Sequence, residues 1–348
     1  GDDAAPSGGG DTANNASGNV NMRVYTYASI NIGANITVTV TGNRGLVLAS
    51  KGDLDFAGDL SVAGGNGTAG GSNSAWSNAG GGKGGSGADG QTFDSGKSDS
   101  YYDGNAGSAP ESDPPGTYAG DGGWIYVSQK GRMWGRGAGG GHSEWNGNGN
   151  GGGYGGTGEE VINVANSSET YGDAYLEDLY GGSGGGGGGR ATGLGTGGGG
   201  GGSVEFVAAG GLTMSGTIDA SGGNGSSASN GDGGGGSGGG ILLSGNTITF
   251  SGSVDASGGV RAGSAGDGGG GRVAFYVGNV LGSDITTLKA NSVDGDSNND
   301  GLGADPSVSG LTWSGGSVDV RRGAAGADHG SFYVLAAPPP PGTVLVVK

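Results

Sequence analysis

Residues 217–259 read TIDASGGNGSSASNGDGGGGSGGGILLSGNTITFSGSVDASGG. The phrase [Thr/Ser]-[Ile/Val]-Asp-Ala-Ser-Gly-Gly stands at both ends, so that Asp219 and Asp255 are 36 residues apart. A catalytic loop needs particular side chains, and the spacer here is almost entirely Gly, Ser and Asn. What repeats is a backbone shape.

The repeat extends outward from that stretch. Residues 46–67 (LVLASKGDLDFAGDLSVAGGNG) align with residues 204–225 (VEFVAAGGLTMSGTIDASGGNG) on a Gly-Gly-Asn-Gly step, and residues 241–259 form a third copy. Each copy reads as a short apolar strand, a turn at Gly or Asn, a second alternating strand, a Gly and a third short strand. Weaker echoes follow at residues 272–277, 311–320 and 331–335. Three β segments per unit, punctuated by Gly, predict a solenoid that stacks its strands in parallel, because one coil alone cannot bury its apolar side. Val204, Phe206, Leu212, Met214, Ile218 and Ala220 recur at period two and are expected to face inward. No amphipathic helix is expected.

Gly supplies 96 of the 348 residues, against a usual share of about 7%. Collagen is excluded, since there is no Gly-X-Y period and only 9 Pro. The runs at residues 181–189, 197–202 and 233–240 carry no side chain larger than Ser. Ordering such chain costs about 1–2 kcal/mol per residue, which dense backbone hydrogen bonding must offset. They are therefore expected to pack side by side as a polyproline-II-like bundle.

The formal charge is −17, from 32 acidic and 15 basic residues, which disfavours nucleic acid and anionic membranes as partners. No apolar run approaches the roughly 20 residues of a membrane helix, so no membrane insertion is expected. The absence of Cys removes disulfides, zinc fingers and Cys nucleophiles together. A chain opening at Gly1, rich in Thr, Ser, Asn and Gly, reads as an exported, mature β protein.

The phrase [GS]-[ST]-[IV]-D-A-S-G-G with its GGGG lead-ins resembles the large glycine-rich, adhesin-like repeat proteins of bacterial and archaeal surfaces. The resemblance covers residues 30–70 and 195–280 and implies a secreted parallel β-solenoid displayed at a cell surface. The fold expected is all-β: a right-handed parallel β-helix with glycine-rich, polyproline-II-like loops and a central insertion. Its expected parts are an N-terminal tail (1–19), a first solenoid segment (20–67), the insertion (68–180), further solenoid repeats (181–335), and a Pro arm with a C-terminal strand (336–348).

Residues 294–305, DGDSNNDGLGAD, carry the sharpest local motif. Asp296, Asn298 and Asp300 take alternate positions before Gly301, and Leu302 follows with its carbonyl, which is calcium-loop spacing. The twelfth position is Ser307 and not Glu, so the loop is closer to those of thrombospondin type 3 repeats and dockerins, with Asp294 and Asp305 as further donors. Calcium is the cofactor expected, and no organic one.

Catalysis is not expected. Only His142 and His329 exist, and paired carboxylates such as Glu159–Glu160 lack the charged solenoid face that a polysaccharide lyase or hydrolase would need. Aromatics crowd the insertion, among them Trp76, Tyr101, Tyr102, Trp124, Trp134 and Trp145. They suit either a small core or a sugar-stacking surface, which makes a glycan-binding adhesin the first alternative reading, with a β-helix polysaccharide lyase or hydrolase as the second.

The leading expectation is a self-assembling subunit of an extracellular filament or layer, with copies of itself as partners. A solenoid has two open ends, and neither is expected to be capped here. The N-terminal β-prone run contains Val20, Val24, Tyr25, Tyr27 and Ile30. At the other end Val344, Leu345, Val346 and Val347 follow a Pro arm suited to donating a strand to a neighbour's sheet edge.

Overall fold

The computed structural model describes residues 11–14, 21–40, 44–69, 148–161, 168–188, 195–228, 231–278 and 285–337. Over these residues the protein is all-β, with one six-residue helix, α1 (Ile285–Ala290), where none was expected.

Three parallel ladders run side by side. The first stacks β2 (Asn21–Tyr27), β5 (Gly45–Ser50), the start of β8 (Ser203–Met214), the start of β10 (Gly240–Phe250), β12 (Arg272–Val277) and β17 (Ser331–Ala336). The second stacks β3 (Ile30–Ile32), β6 (Leu54–Phe56), the ends of β8 and β10, and β15 (Leu311–Trp313). The third stacks β4 (Thr37–Thr39), β7 (Asp59–Ser61), β9 (Thr217–Asp219), β11 (Ser253–Asp255) and β16 (Ser317–Asp319). The weak sequence echoes near 311–320 and 331–335 thus join the same ladders as the strong copies. In β8 and β10 the expected first and second strands run on as one, the turn between them reduced to a register shift between Gly245 and Thr247.

In-register stacking brings equivalent residues of each copy together on the inside. Leu54, Leu212 and Ile248 form one buried row, Leu60, Ile218, Val254 and Val318 another, and all six period-two positions of the second copy are at most 1% exposed. The aromatic members pack ring to ring, with centroids 5.0 Å apart for Phe250–Phe275 and Phe275–Phe332 and 4.6 Å for Phe250–Trp313. A second, smaller cluster lies on the outer face of the first ladder, where Tyr154, Tyr171, Leu176, Leu179 and Tyr180 cover Val47, Leu242 and Ala274.

Apart from Gly240, which opens β10, the described residues of the glycine runs carry neither helix nor strand, yet they are joined by backbone hydrogen bonds. A chain of N–H donors links Gly199 to Gly65 O at 2.9 Å, Gly223 to Gly199 O at 2.7 Å and Gly236 to Gly223 O at 2.9 Å. It continues from Gly259 to Gly236 O at 2.8 Å, from Gly268 to Gly259 O at 2.9 Å and from Gly323 to Gly268 O at 2.9 Å. A further layer adds Gly234 N–H to Gly186 O at 2.8 Å and Gly186 N–H to Asn150 O at 2.9 Å. None of these glycines has a φ in the left-handed region. What the array needs is the missing Cβ: one built on Gly236 would lie 2.5 Å from the carbonyl carbon of Gly199.

Both ends differ from the uncapped state expected. At one end β1 (Asp11–Asn14) pairs antiparallel with residues 21–24 of β2. At the other, β13 (Val293–Asp294) pairs antiparallel with β17 and β14 (Leu302–Gly303) with β16. The sheets are therefore mixed and not purely parallel. The physical reason lies in strands of two to four residues, too short to show a period in the sequence, which still satisfy edge N–H and C=O groups.

Candidate functional site

The loop at 294–305 joins β13 to β14, which pair with the last ladder strands β17 and β16. Asp296 is 5% exposed, and its oxygens accept the N–H of Asp300 at 3.1 Å and of Gly301 at 2.9 Å. Asp294 accepts from Asp296 N–H at 2.9 Å, Asp300 from Leu302 N–H at 2.9 Å, and Asp305 from Ser307 N–H at 2.8 Å. Left-handed φ values at Asn299 (53°) and Gly301 (77°) make the sharp turn. Burial pushes the Asp296 pKa up, opposed by its two N–H bonds. Asn298 and Leu302 are exposed. Each aspartate is turned to its own backbone, and among the described residues no three His, Cys, Asp or Glu side chains gather as a metal-holding group.

The residues assigned to assembly divide in two. Val24, Tyr25, Tyr27 and Ile30 belong to β2 and β3, with Ile30 in the main core and only Tyr27 exposed. Val24 and Tyr25 pack against the cores as partly buried residues. Val20, Val344, Leu345, Val346 and Val347 lie outside the described residues, as do Trp76, Tyr101, Tyr102, Trp124, Trp134 and Trp145. Beyond residues 21–24, the first tier has open edges: among the described residues β3 pairs with β6 alone and β4 with β7 alone.

Three charged clusters escaped the sequence reading. The first was in plain view in the repeated phrase. Asp219, Asp255 and Asp319 stand in register on adjacent strands of the third ladder, on the face opposite Ile218, Val254 and Val318. Each carboxylate accepts a backbone N–H two residues on, from Ser221 (3.0 Å), Ser257 (2.8 Å) and Arg321 (2.9 Å). Burial raises the Asp255 pKa, and the aspartates on either side raise it further.

In the second cluster Glu159 pairs with Arg261 and not with Glu160. Arg261 Nη1 lies 2.5 Å from Glu159 Oε2 and 3.4 Å from Oδ2 of Asp267, whose side chain is fully buried. Burial raises the Asp267 pKa, with Arg261 opposing it. The third is Glu205, placed by register between Val47 and Leu242 on the covered outer face, where burial lifts its carboxyl to about 7. No sequence signal distinguished Glu205 from a solvated strand residue.

Comparison with family models, curated proteins and solved structures gives no match. No helix among the described residues is long and apolar enough to cross a membrane.

Proposed function

We propose that this chain is an extracellular structural protein whose copies join into a filament or layer through terminal β-strands. In this reading the ladders are the walls of a right-handed parallel β-helix, and the glycine lanes form a polyproline-II-like bundle beside it. The main support is the first tier. β3 and β4 present one paired edge and one unpaired edge each among the described residues, and their inward residues Ile32 and Val38 are only partly buried. A parallel strand edge with apolar rows behind it is a template for another strand. No catalytic role is part of the proposal.

Calcium at residues 294–305 belongs to the same reading, supported by the oxygen-rich spacing and by the buried Asp296 carboxyl. Bound calcium would add stability by mass action.

The test is electron microscopy and sedimentation of the full chain beside two variants. Deleting residues 338–348 removes the strand proposed as donor, and Thr37→Lys with Thr39→Lys places charge on the open β4 edge. Polymers from the full chain that are lost in both variants are expected. A full chain that stays monomeric at high concentration, or polymers unaffected by either change, overturns the assignment.

A further inference from the structure

Arg272 is a cation inside the molecule. It opens β12 and is 6% exposed, and it forms no ion pair among the described residues. Its neighbours Val273 and Phe275 point into the main core, so its side chain leaves the other face of the sheet, toward the segment that carries Tyr154 and Tyr171. There Nη2 donates to the carbonyl oxygens of Tyr171 at 3.0 Å and Tyr154 at 3.3 Å, and the guanidinium carbon lies 5.3 Å from the Tyr154 ring centroid. These contacts hold one end of the guanidinium. Nε has no hydrogen-bond partner among the described residues.

Two more orphaned atoms belong to residues that neighbour it on either side. Ser331 is the register partner of Arg272 on β17, and its Oγ is buried without a partner. The Tyr154 hydroxyl, on a residue with no exposed surface, has no acceptor for its proton among the described residues, since the one backbone group acting on it, the Tyr180 N–H, can only donate. Four buried side-chain polar atoms lack partners among the described residues, and three of them belong to Arg272, Ser331 and Tyr154. The wall beside them is built from Gly240, where a Cβ would lie 3.1 Å from the Tyr154 hydroxyl and 2.6 Å from Tyr180 O.

We propose that Arg272, Ser331 and Tyr154 hold a small monovalent anion of the halide class. Nε–H is a donor only, and both hydroxyls have a proton to give, so what the three lack in common is an acceptor. A water molecule has two lone pairs and leaves the positive charge unbalanced. A halide accepts from all three and neutralises the guanidinium. The site lies between the first ladder and the segment carrying Tyr154, Tyr171 and Tyr180, so occupancy is linked to the docking of that segment. With a net charge of −17 outside, retention comes from enclosure and not from the surface field.

The full chain is unfolded in urea and refolded in sodium bromide or in sodium gluconate at equal ionic strength. The expected result is a melting temperature several degrees higher in bromide, rising saturably with its concentration, and anomalous bromide density beside Arg272. Arg272→Met should remove the bromide dependence. Should that variant fail to fold, Tyr154→Phe and Ser331→Ala keep the packing and should each raise the half-saturating bromide concentration about tenfold, one charge-assisted hydrogen bond apiece. Equal melting in the two salts, or an ordered water alone where the bromide should be, overturns the proposal.

Discussion

Replacing Gly236 by Ala tests whether the glycine lanes are structural. Gly236 donates to Gly223 O at 2.9 Å and accepts from Gly259 N–H at 2.8 Å. A methyl group there would lie 2.5 Å from the carbonyl carbon of Gly199 and 3.0 Å from Gly198 O. Carbon–carbon contacts are comfortable at about 3.5–4.0 Å, so the Gly199 lane must retreat by about 1 Å. Gly199 also accepts from Gly223 at 2.7 Å and donates to Gly65 at 2.9 Å, and both bonds stretch out of range as it moves. Two or three bonds at about 1 kcal/mol each, plus about 1–3 kcal/mol of overpacking, give a loss of about 3–6 kcal/mol. For a chain of this size, with an unfolding entropy of about 0.7 kcal/mol/K, that lowers the melting temperature by roughly 4–8 °C, read by calorimetry at fixed scan rate. Gly33→Ala is the control, because nothing lies within 4 Å of a Cβ there and its φ is not left-handed. It should be neutral or slightly stabilising, by up to about 1 kcal/mol through the unfolded chain. Equal melting of the two variants would refute the packed-lane account.

Other expectations follow from the charged clusters. Glu205, with its pKa raised from 4.5 to about 7 in the folded protein, binds its proton more tightly when folded, so stability falls as pH rises from about 4.5 to 7 and stays low above. Glu205→Gln should flatten that slope in melting-versus-pH curves and add about 2 kcal/mol at pH 8, allowing for partial exposure. Asp255→Asn relieves like-charge stacking with Asp219 and Asp319 and can keep the Ser257 N–H bond, so it should raise the melting temperature at pH 7 and not at pH 3. Millimolar calcium should raise the melting temperature and a chelator reverse it; Asp296→Ala with Asp300→Ala should abolish the response, and a calcium-independent wild type would leave the loop a hydrogen-bonded turn.

Much of the fold is readable because stacking repeats makes the pleat identical in every copy. Phe206 and Leu243, or Ile218 and Val254, occupy equivalent positions in sequence and also equivalent positions in space. A period-two pattern seen three times is therefore also a register assignment. The caps were not readable for the opposite reason: β13 and β14 are two residues each and antiparallel, with no pattern to repeat. The insertion was read as a unit by itself, whereas its later part supplies Tyr154, Tyr171, Leu176, Leu179 and Tyr180 to the outer face of the first ladder. The sequence shows those residues as isolated aromatics and leucines among Gly and Asp. The face they cover is visible only once Val47, Leu242 and Ala274 stand side by side.

The glycine lanes set the harder limit. Ordinary packing is encoded by what a side chain is, so its signal is local and periodic. Here contact is made by backbones that approach because nothing stands between them, and a run of Gly matches every register of every other run equally well. Gly186 bonds to Asn150 and Gly234, residues 36 and 48 positions away in opposite directions, without any feature in the three segments to pair them. The information comes from outside the runs. The ladders fix where each tier ends, at Val62, Ala220, Ala256 and Val320, and Gly202, Gly239, Gly271 and Gly330 then bond beside those residues. Ser183 and Ser237, buried within the runs, add the rare side-chain marks, with Ser183 N–H donating to Ser237 Oγ at 2.8 Å. Register in the glycine array is thus inherited from the strands, and a lane whose flanking strand is disturbed has no means of its own to find its place.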